Sequence, residues 1–509
     1  MNIKRAKAEI INSIHAYLKK DAYGEYMIPP LRQRPILLMG PPGIGKTQVM
    51  EQVARECGIS LVSYTITHHT RQSAVGLPFI EKKMYGGREY SVTEYTMSEI
   101  IASVYEKMEK TGIREGILFI DEINCVSETL APMMLQFLQC KTFGNQRLPE
   151  GWLIVAAGNP PEYNKSVRDF DVVTLDRIKK IDVEENYEVW KEYAYHAEIH
   201  PAILSYLELK KENFYRIETT VDGKAFATAR GWEDLSQLLK AYEALGERAD
   251  REVVHQYIQH WKIAKDFAVY LELFEKYKKD YGLEHILKGQ YRKDTLEKLS
   301  AAGFDERLSV VGMLMGRLSG MFRDCFLADC FVTQLYGWLR KYKESLDLKA
   351  VCEEAAGEYE RFRKAEQLTK EQDHVWQKVQ HVLEGYRVLT DSAHLTGEAA
   401  FQAVKQEFEK ETARRQQIYD QAADALGCGF DFLEAAFGDG QEMVAFLAEL
   451  NTDFYSIQYL KENDCDPYYR YNKRLLFDEQ QERILKQMNE IEDELNTALK
   501  EDEQTEKPE

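Results

Sequence analysis

The order of apolar and polar positions divides this chain near residue 250. Before that point, short apolar runs alternate with helical spacings. Ile3 to Lys20 keeps helical spacing and leads into a loop carrying Pro29 and Pro30. Pro35 to Met39 is an unbroken apolar run, the pattern of a buried strand. Thr47 to Cys57 returns to helical spacing and is stopped by Gly58. Residues 60–66, SLVSYTI, alternate with β-branched and aromatic types and predict a second strand. From His69 to Thr96 the pattern breaks up: Gly76-Leu77-Pro78 is a turn, and FIEKKMYGGREYSV predicts a hairpin about Gly86-Gly87. A helix over Met97 to Lys110, a strand over Gly116 to Ile120, a helix over 129–140 and a strand over Trp152 to Ala157 complete this half. Strands alternating with helices predict an α/β core built on a parallel sheet.

Beyond Asp250 the spacing is helical almost throughout. Helices are expected over His255 to Tyr281, Asp294 to Ala302, Leu308 to Lys343, Lys349 to Leu389, Glu398 to Leu426 and Asp431 to Glu449. Phe326, Cys330, Leu335 and Leu339 form part of an apolar stripe that reads as core. Ile484, Met488, Ile491, Leu495 and Ala498 keep a 4-3-4-3 spacing, either a short coiled-coil seam or a helix packed on the body. From Lys500 to Glu509 the chain is acidic and is expected to be disordered.

The candidate chemistry lies in the first half. GPPGIGKT, between the first strand and the helix after it, satisfies the spacing G-x-x-x-x-G-K-[ST] at Gly40, Gly45, Lys46 and Thr47. Glycines let such a loop curl so that backbone N–H groups point at a polyphosphate, and the helix N-terminus behind it adds partial positive charge. The candidate nucleotide-binding residues are therefore Gly40, Pro41, Pro42, Gly43, Ile44, Gly45, Lys46, Thr47 and Gln48. Lys46 can reach the β- and γ-phosphates, and Thr47 can ligate Mg²⁺.

About 75 residues on, ILFI runs straight into Asp121-Glu122. Four apolar residues followed by two acids suit a central strand whose tip opens onto the same crevice. Asp121 would hold Mg²⁺, and Glu122 would orient and deprotonate an attacking water. By itself the same pattern also fits a strand running into an acidic helix cap. Asn159, at the tip of the strand ending AAGNPP, can donate and accept toward a γ-phosphate or the water. Its other reading is an Asx-turn ahead of Pro160 and Pro161.

Composition narrows the classes. The chain has 509 residues, too many for one ordinary domain, with 44% hydrophobic and 30% charged residues. No run approaches a membrane span, and the N-terminus lacks the h-region of a signal peptide, which points to the cytoplasm. The eight cysteines form no C-x-x-C pair, so neither a zinc site nor a disulfide framework is expected. His68 and His69 fall on opposite faces of a strand, against a shared metal. The net charge is −19. The first 250 residues carry 31 basic and 35 acidic side chains, and the remainder 35 and 50. Such a balance opposes a broad nucleic-acid footprint.

At this point the chain resembles an AAA+ ATPase, and within that class the MoxR branch, related to the dynein and midasin ATPase modules. The matching pieces are GPPGIGKT (40–47), the GLPFIEKKMYGGREYSV hairpin, ILFIDEIN (117–124), AAGNPP (156–161), LDRI (175–178) and ATARGWEDL (227–235). The hairpin is similar to the helix-2 insert of that clade. The resemblance covers about residues 1–250. It implies an α/β P-loop AAA+ core, a parallel sheet flanked by helices, at 1–183. A small helical lid would follow at 184–250, then a large, mainly α-helical accessory region at 251–480, and a C-terminal helix with acidic tail at 481–509.

The resemblance also assigns roles. Asn159 becomes the first sensor and Arg230 the second, while Arg177 matches an arginine finger entering a neighbouring subunit's site, with Arg168 as its competitor. Two departures stand out: Cys125 replaces the usual small residue, and KSVRDFDVV is not the usual Pro-rich segment. The nucleotide would be ATP with Mg²⁺. The implied function is that of a ring-forming remodelling or chaperone-like ATPase, a hexamer by analogy, working with a von Willebrand factor A-domain partner. The alternative is a nucleic-acid-linked motor of the restriction or helicase-loading type. A nucleotide-gated scaffold that hardly hydrolyses ATP is a third class.

Overall fold

A computed structural model describes residues 1–68, 74, 76–143, 146–163, 170–220 and 223–473. His69, the 484–498 spacing and the acidic tail lie outside the described residues. Two compact units emerge, the first formed by Met1–Ala194, Lys210–Ala268 and Asp329–Thr412. The second is formed by Tyr195–Leu209, Val269–Ala328 and the described residues from Ala413 onward.

The first unit is built on a five-stranded parallel sheet in the order β2-β5-β8-β1-β9. These strands are β1 (Ile36–Met39), β2 (Ser60–Thr65), β5 (Gly116–Asp121), β8 (Trp152–Gly158) and β9 (Lys179–Asp182). Every residue of β8 is buried, and so is β5 up to Asp121, as central parallel strands with both faces covered must be. On one face α1 (Ile3–Leu18) and α2 (Lys46–Cys57) pack Ile10, Ile14, Met50 and Val53 against Leu38, Phe119 and Val155. On the other, α3 (Glu99–Thr111) and α4 (Ala131–Cys140) bring Ile100, Val104, Met134 and Phe137 onto Leu118, Ile120 and Ile154.

Local chemistry sets the boundaries. Asn2 caps α1 by accepting from the Arg5 N–H, and Gly58, in the left-handed region at φ 65, returns its N–H to Ala54 and Arg55 at the end of α2. The expected hairpin is present as β3 (Pro78–Tyr85) and β4 (Arg88–Tyr95), with Gly86 and Gly87 both at positive φ in its turn. A short two-residue pair, β6 (Thr142–Phe143) and β7 (Gln146–Arg147), leads to β8.

After β9 come α6 (Tyr187–His196) and α7 (Pro201–Leu209); a four-residue turn of helix before it, α5 (Val172–Leu175), is capped by Asp171. An antiparallel pair follows, β10 (Arg216–Thr220) with β11 (Gly223–Ala227), and then α8 (Ala229–Leu245). The helical reading of this stretch did not anticipate β10 and β11.

The remaining described residues are mainly helical, but the breaks differ from those expected. His255 to Tyr281 is interrupted: α9 (Arg251–Tyr257) and α10 (Trp261–Tyr281) flank a turn in which the Gln259 carbonyl accepts from Phe226 N–H of β11, at 3.3 Å. A four-residue turn, α11 (Leu283–Ile286), and α12 (Lys293–Ser300) precede the 42-residue α13 (Phe304–Ser345). Lys349 to Leu389 is two helices, α14 (Leu348–Lys364) and α15 (Lys370–Ser392), the second opened by a Thr369/Gln372 capping box. The expected break at 427–430 is absent, because α16 (Gly397–Phe437) runs through it and the chain turns instead at Gly438, ahead of α17 (Gln441–Thr452) and α18 (Phe454–Glu462).

Within the first unit, Trp338 of α13 packs on Trp376 of α15, and Tyr342 on Phe401 of α16. The turn between α14 and α15 is tied to α3: Glu366 meets Lys107 at 2.6 Å and Lys110 at 3.1 Å. The second unit has its own core, in which Phe322, Phe430, Phe432, Phe446 and Tyr455 are fully buried.

Candidate nucleotide site

The register of the sheet brings the singled-out residues together. Met39, at the end of β1, pairs with Gly158 of β8, and Ile120 of β5 pairs with Ala156. The phosphate loop, the acidic pair and Asn159 therefore leave adjacent strands at the same edge. In the loop, Gly43 and Gly45 take φ 77 and 88, which an L side chain resists. Gly40 is needed for a different reason: a Cβ there would lie 2.6 Å from the Val183 carbonyl. Ile44 turns back into the core beneath the loop.

Lys46 is buried at the start of α2. Its Nζ donates to the carbonyls of Gly40 (2.9 Å) and Pro41 (2.8 Å) and to Asn159 Oδ1 (2.9 Å). Burial pushes its pKa down to about 8, and the charge of Arg230 acts in the same direction, while Asp121 and Glu122 oppose it. Thr47 Oγ1 donates to Asp121 Oδ2 at 3.0 Å. Glu122 leaves the strand in the left-handed region at φ 57, a conformation costing a non-glycine residue about 1–2 kcal/mol. Its N–H donates to Asp121 Oδ1 (2.9 Å), and its own Oε2 accepts from Thr67 Oγ1 (3.0 Å).

The segment after β9 reaches the loop as well. Tyr215 donates from its hydroxyl to the Pro42 carbonyl at 2.9 Å, and burial raises that phenol's pKa. A Cβ on Gly43 would lie 3.3 Å from Thr228, the N-cap of α8, and 3.5 Å from Arg230 Cβ. Arg230 thus stands beside the loop. Gln48 Nε2 approaches Glu233 Oε1 at 3.5 Å, and Tyr193 donates to the same oxygen at 2.8 Å.

Arg177 is not part of this cluster. It lies just ahead of β9, whose first residue, Lys179, pairs with Ile36 at the start of β1. The loop leaves the other end of β1, about 10–13 Å away for a four-residue strand. Arg177 is exposed and donates to Gln139 Oε1 of α4. Arg168 lies outside the described residues.

Three contributors were not foreseen. Thr67 could have been found, since β2 pairs Thr65 with Asp121 and so puts the residues after it beside Glu122. Asn124 stands in the quoted ILFIDEIN run without a role; its Nδ2 donates to the Asn159 carbonyl at 2.8 Å. Nothing in the local sequence marks Tyr215.

The residues present fit a nucleoside polyphosphate with a divalent cation. The loop offers glycine-enforced curvature, a buried ammonium bonded to carbonyl and amide oxygens, and a hydroxyl–carboxylate pair of the hard-oxygen type such a cation takes. Residues 36–174, from β1 to α5, match the model of the family described as ATPase family associated with various cellular activities (AAA). No curated protein matches the chain. Among the described residues, no helix is long and apolar enough to cross a membrane.

Proposed function

Starting from an AAA domain at residues 36–174, we propose that this chain is an ATP-hydrolysing, ring-forming remodelling or chaperone-like ATPase of the MoxR type. The observation that carries the reading is the convergence of Lys46, the Thr47–Asp121 pair, Glu122 and Asn159 at one edge of the sheet. Lys46 binds phosphate oxygens as an ammonium. Thr47 Oγ1 and Asp121 would hold Mg²⁺, which when bound would neutralise charge on the phosphates. Glu122 orients the attacking water and takes its proton at a carboxylate oxygen, once its bond to Thr67 is exchanged for that water. Asn159 faces the water from the neighbouring strand, and Arg230 adds positive charge from α8.

Arg177 supports a site shared between subunits. A guanidinium at the opposite end of the strands is remote from its own phosphate loop, but it is exposed for a neighbour's. On this reading the chain forms a ring, a hexamer by analogy, and a von Willebrand factor A-domain protein is its partner, as the resemblance implies.

Glu122→Gln should keep ATP binding and ring assembly but lose turnover; unchanged hydrolysis would remove the assignment. Arg177→Ala should lower hydrolysis on the order of 10³-fold with Lys46 intact. Mixing it with Lys46→Ala subunits should restore part of the activity, and no rescue would argue against a finger acting in trans.

A further inference from the structure

Asn124 is 97% buried, on the short turn Ile123–Cys125 that follows Glu122. Its Nδ2 donates to the Asn159 main-chain carbonyl at 2.8 Å. Its Oδ1 has no hydrogen-bond partner among the described residues, although buried polar atoms are nearly always paired. Exchanging the two amide atoms would not help, because it would set an oxygen against the Asn159 carbonyl. Gly158 is shaped around this side chain: a Cβ there would lie 2.6 Å from Asn124 Oδ1 and 3.1 Å from Nδ2. An apolar residue would fill the same volume without an unpaired oxygen, so the amide is present for its single donated bond.

That bond joins two loops with separate duties. Glu122 leaves β5 in a left-handed turn, and Asn159 leaves β8; beyond Ile120 and Ala156 no strand pairing joins these strands. Lys46 holds the Asn159 side chain through Oδ1, and Asn124 holds its backbone. Asn159 is thereby held at its side-chain oxygen and at its main-chain carbonyl, beside the turn that carries Glu122.

We propose that Asn124 is a positioning residue that sets Asn159 relative to Glu122, so that both address one water. The inference rests on the hydrolytic reading above. It implies that Asn124 acts on turnover more than on nucleotide capture, because Lys46 keeps its bonds to the Gly40 and Pro41 carbonyls, and Thr47 its bond to Asp121, without it.

The test compares steady-state ATP hydrolysis and nucleotide affinity in the full chain for Glu122→Gln, Asn124→Leu, Asn124→Ala, Gly158→Ala and the double variant Asn124→Ala/Gly158→Ala. Asn124→Leu and Asn124→Ala should each lower kcat on the order of 10²-fold, as misplacement of a reacting group does. Nucleotide Kd should stay within about threefold of wild type, which also certifies folding. Gly158→Ala should fall similarly, because its methyl displaces the amide. The double variant removes the clash but not the need for the bond, so it should remain as slow as Asn124→Ala. Recovery of the double variant toward wild type would make Asn124 a space-filler and overturn the inference. So would wild-type kcat in Asn124→Leu while Glu122→Gln is inactive. Full activity in Glu122→Gln would instead overturn the hydrolytic reading, and this inference with it.

Discussion

The phosphate-loop edge of the first unit and the aromatic core of the second are held together by opposite means. At the loop, buried and half-buried polar groups bond between the ends of three strands: Lys46 to Asn159, Thr47 to Asp121, Asn124 to the Asn159 backbone. In the second unit Phe430 meets Phe446 edge-on and stacks on Tyr471, while Phe322 stacks on Tyr459. The first arrangement depends on direction and residue type, the second on volume and burial. Substitutions should therefore separate function from stability cleanly.

The sharpest break of that contrast is expected from Phe430→Ala. Emptying a fully buried aromatic site should cost about 3–5 kcal/mol of stability, read by denaturant titration, with nucleotide affinity at the first unit unchanged below the transition. A matching loss of affinity would show that the two regions are not separable. Lys46→Ala should do the converse, weakening nucleotide binding by about 1.5–3 kcal/mol, the worth of hydrogen bonds to a charged group, with little change in melting temperature.

A smaller effect is expected from pH. The Lys46 pKa is lowered to about 8, so the free loop loses its positive charge as pH rises through that value. Phosphate binding requires the proton, and affinity should weaken by about tenfold between pH 7 and pH 9 in calorimetric titrations. A flat profile would mean that the ammonium does not titrate there. The smallest effect belongs to the helical part of the first unit: Thr369→Ala removes the cap of α15 and should cost about 1 kcal/mol, with hydrolysis unaltered.

How far the sequence could be read follows the same division. Gly40 to Thr47 and Asp121-Glu122 were legible because phosphate chemistry tolerates few residue types at fixed spacing, and the sheet register then brought them together. Helix breaks were less legible for a physical reason. Gly427 and Gly429 look like a stop, yet α16 continues through them, and Gly429 sits so close to the core that a Cβ there would meet Leu318, Leu287 and Phe446 at ordinary packing distance. Tertiary contact outweighed propensity there. Thr369 with Gln372 is the reverse case, since the capping pair stood in the sequence and marked a boundary inside an apparently continuous helix. Tyr215 was beyond reach: a hydroxyl meeting the Pro42 carbonyl from 173 residues away leaves no local pattern.

The ion pairs of Glu366 with Lys107 and Lys110 carry a consequence for biosynthesis. Lys110 and Glu366 are 256 residues apart in the chain. At about 5–20 residues per second, a ribosome needs roughly 13–50 s to travel between them. Lys46 is made before that interval, and Asp121 and Asn159 within its first part, all before 329–412 exists. A nascent chain thus has Lys46, Asp121 and Asn159 well before the partner of the two α3 lysines. In that window Lys107 and Lys110 lack their Glu366 partner, and completion of the α14–α15 turn supplies it.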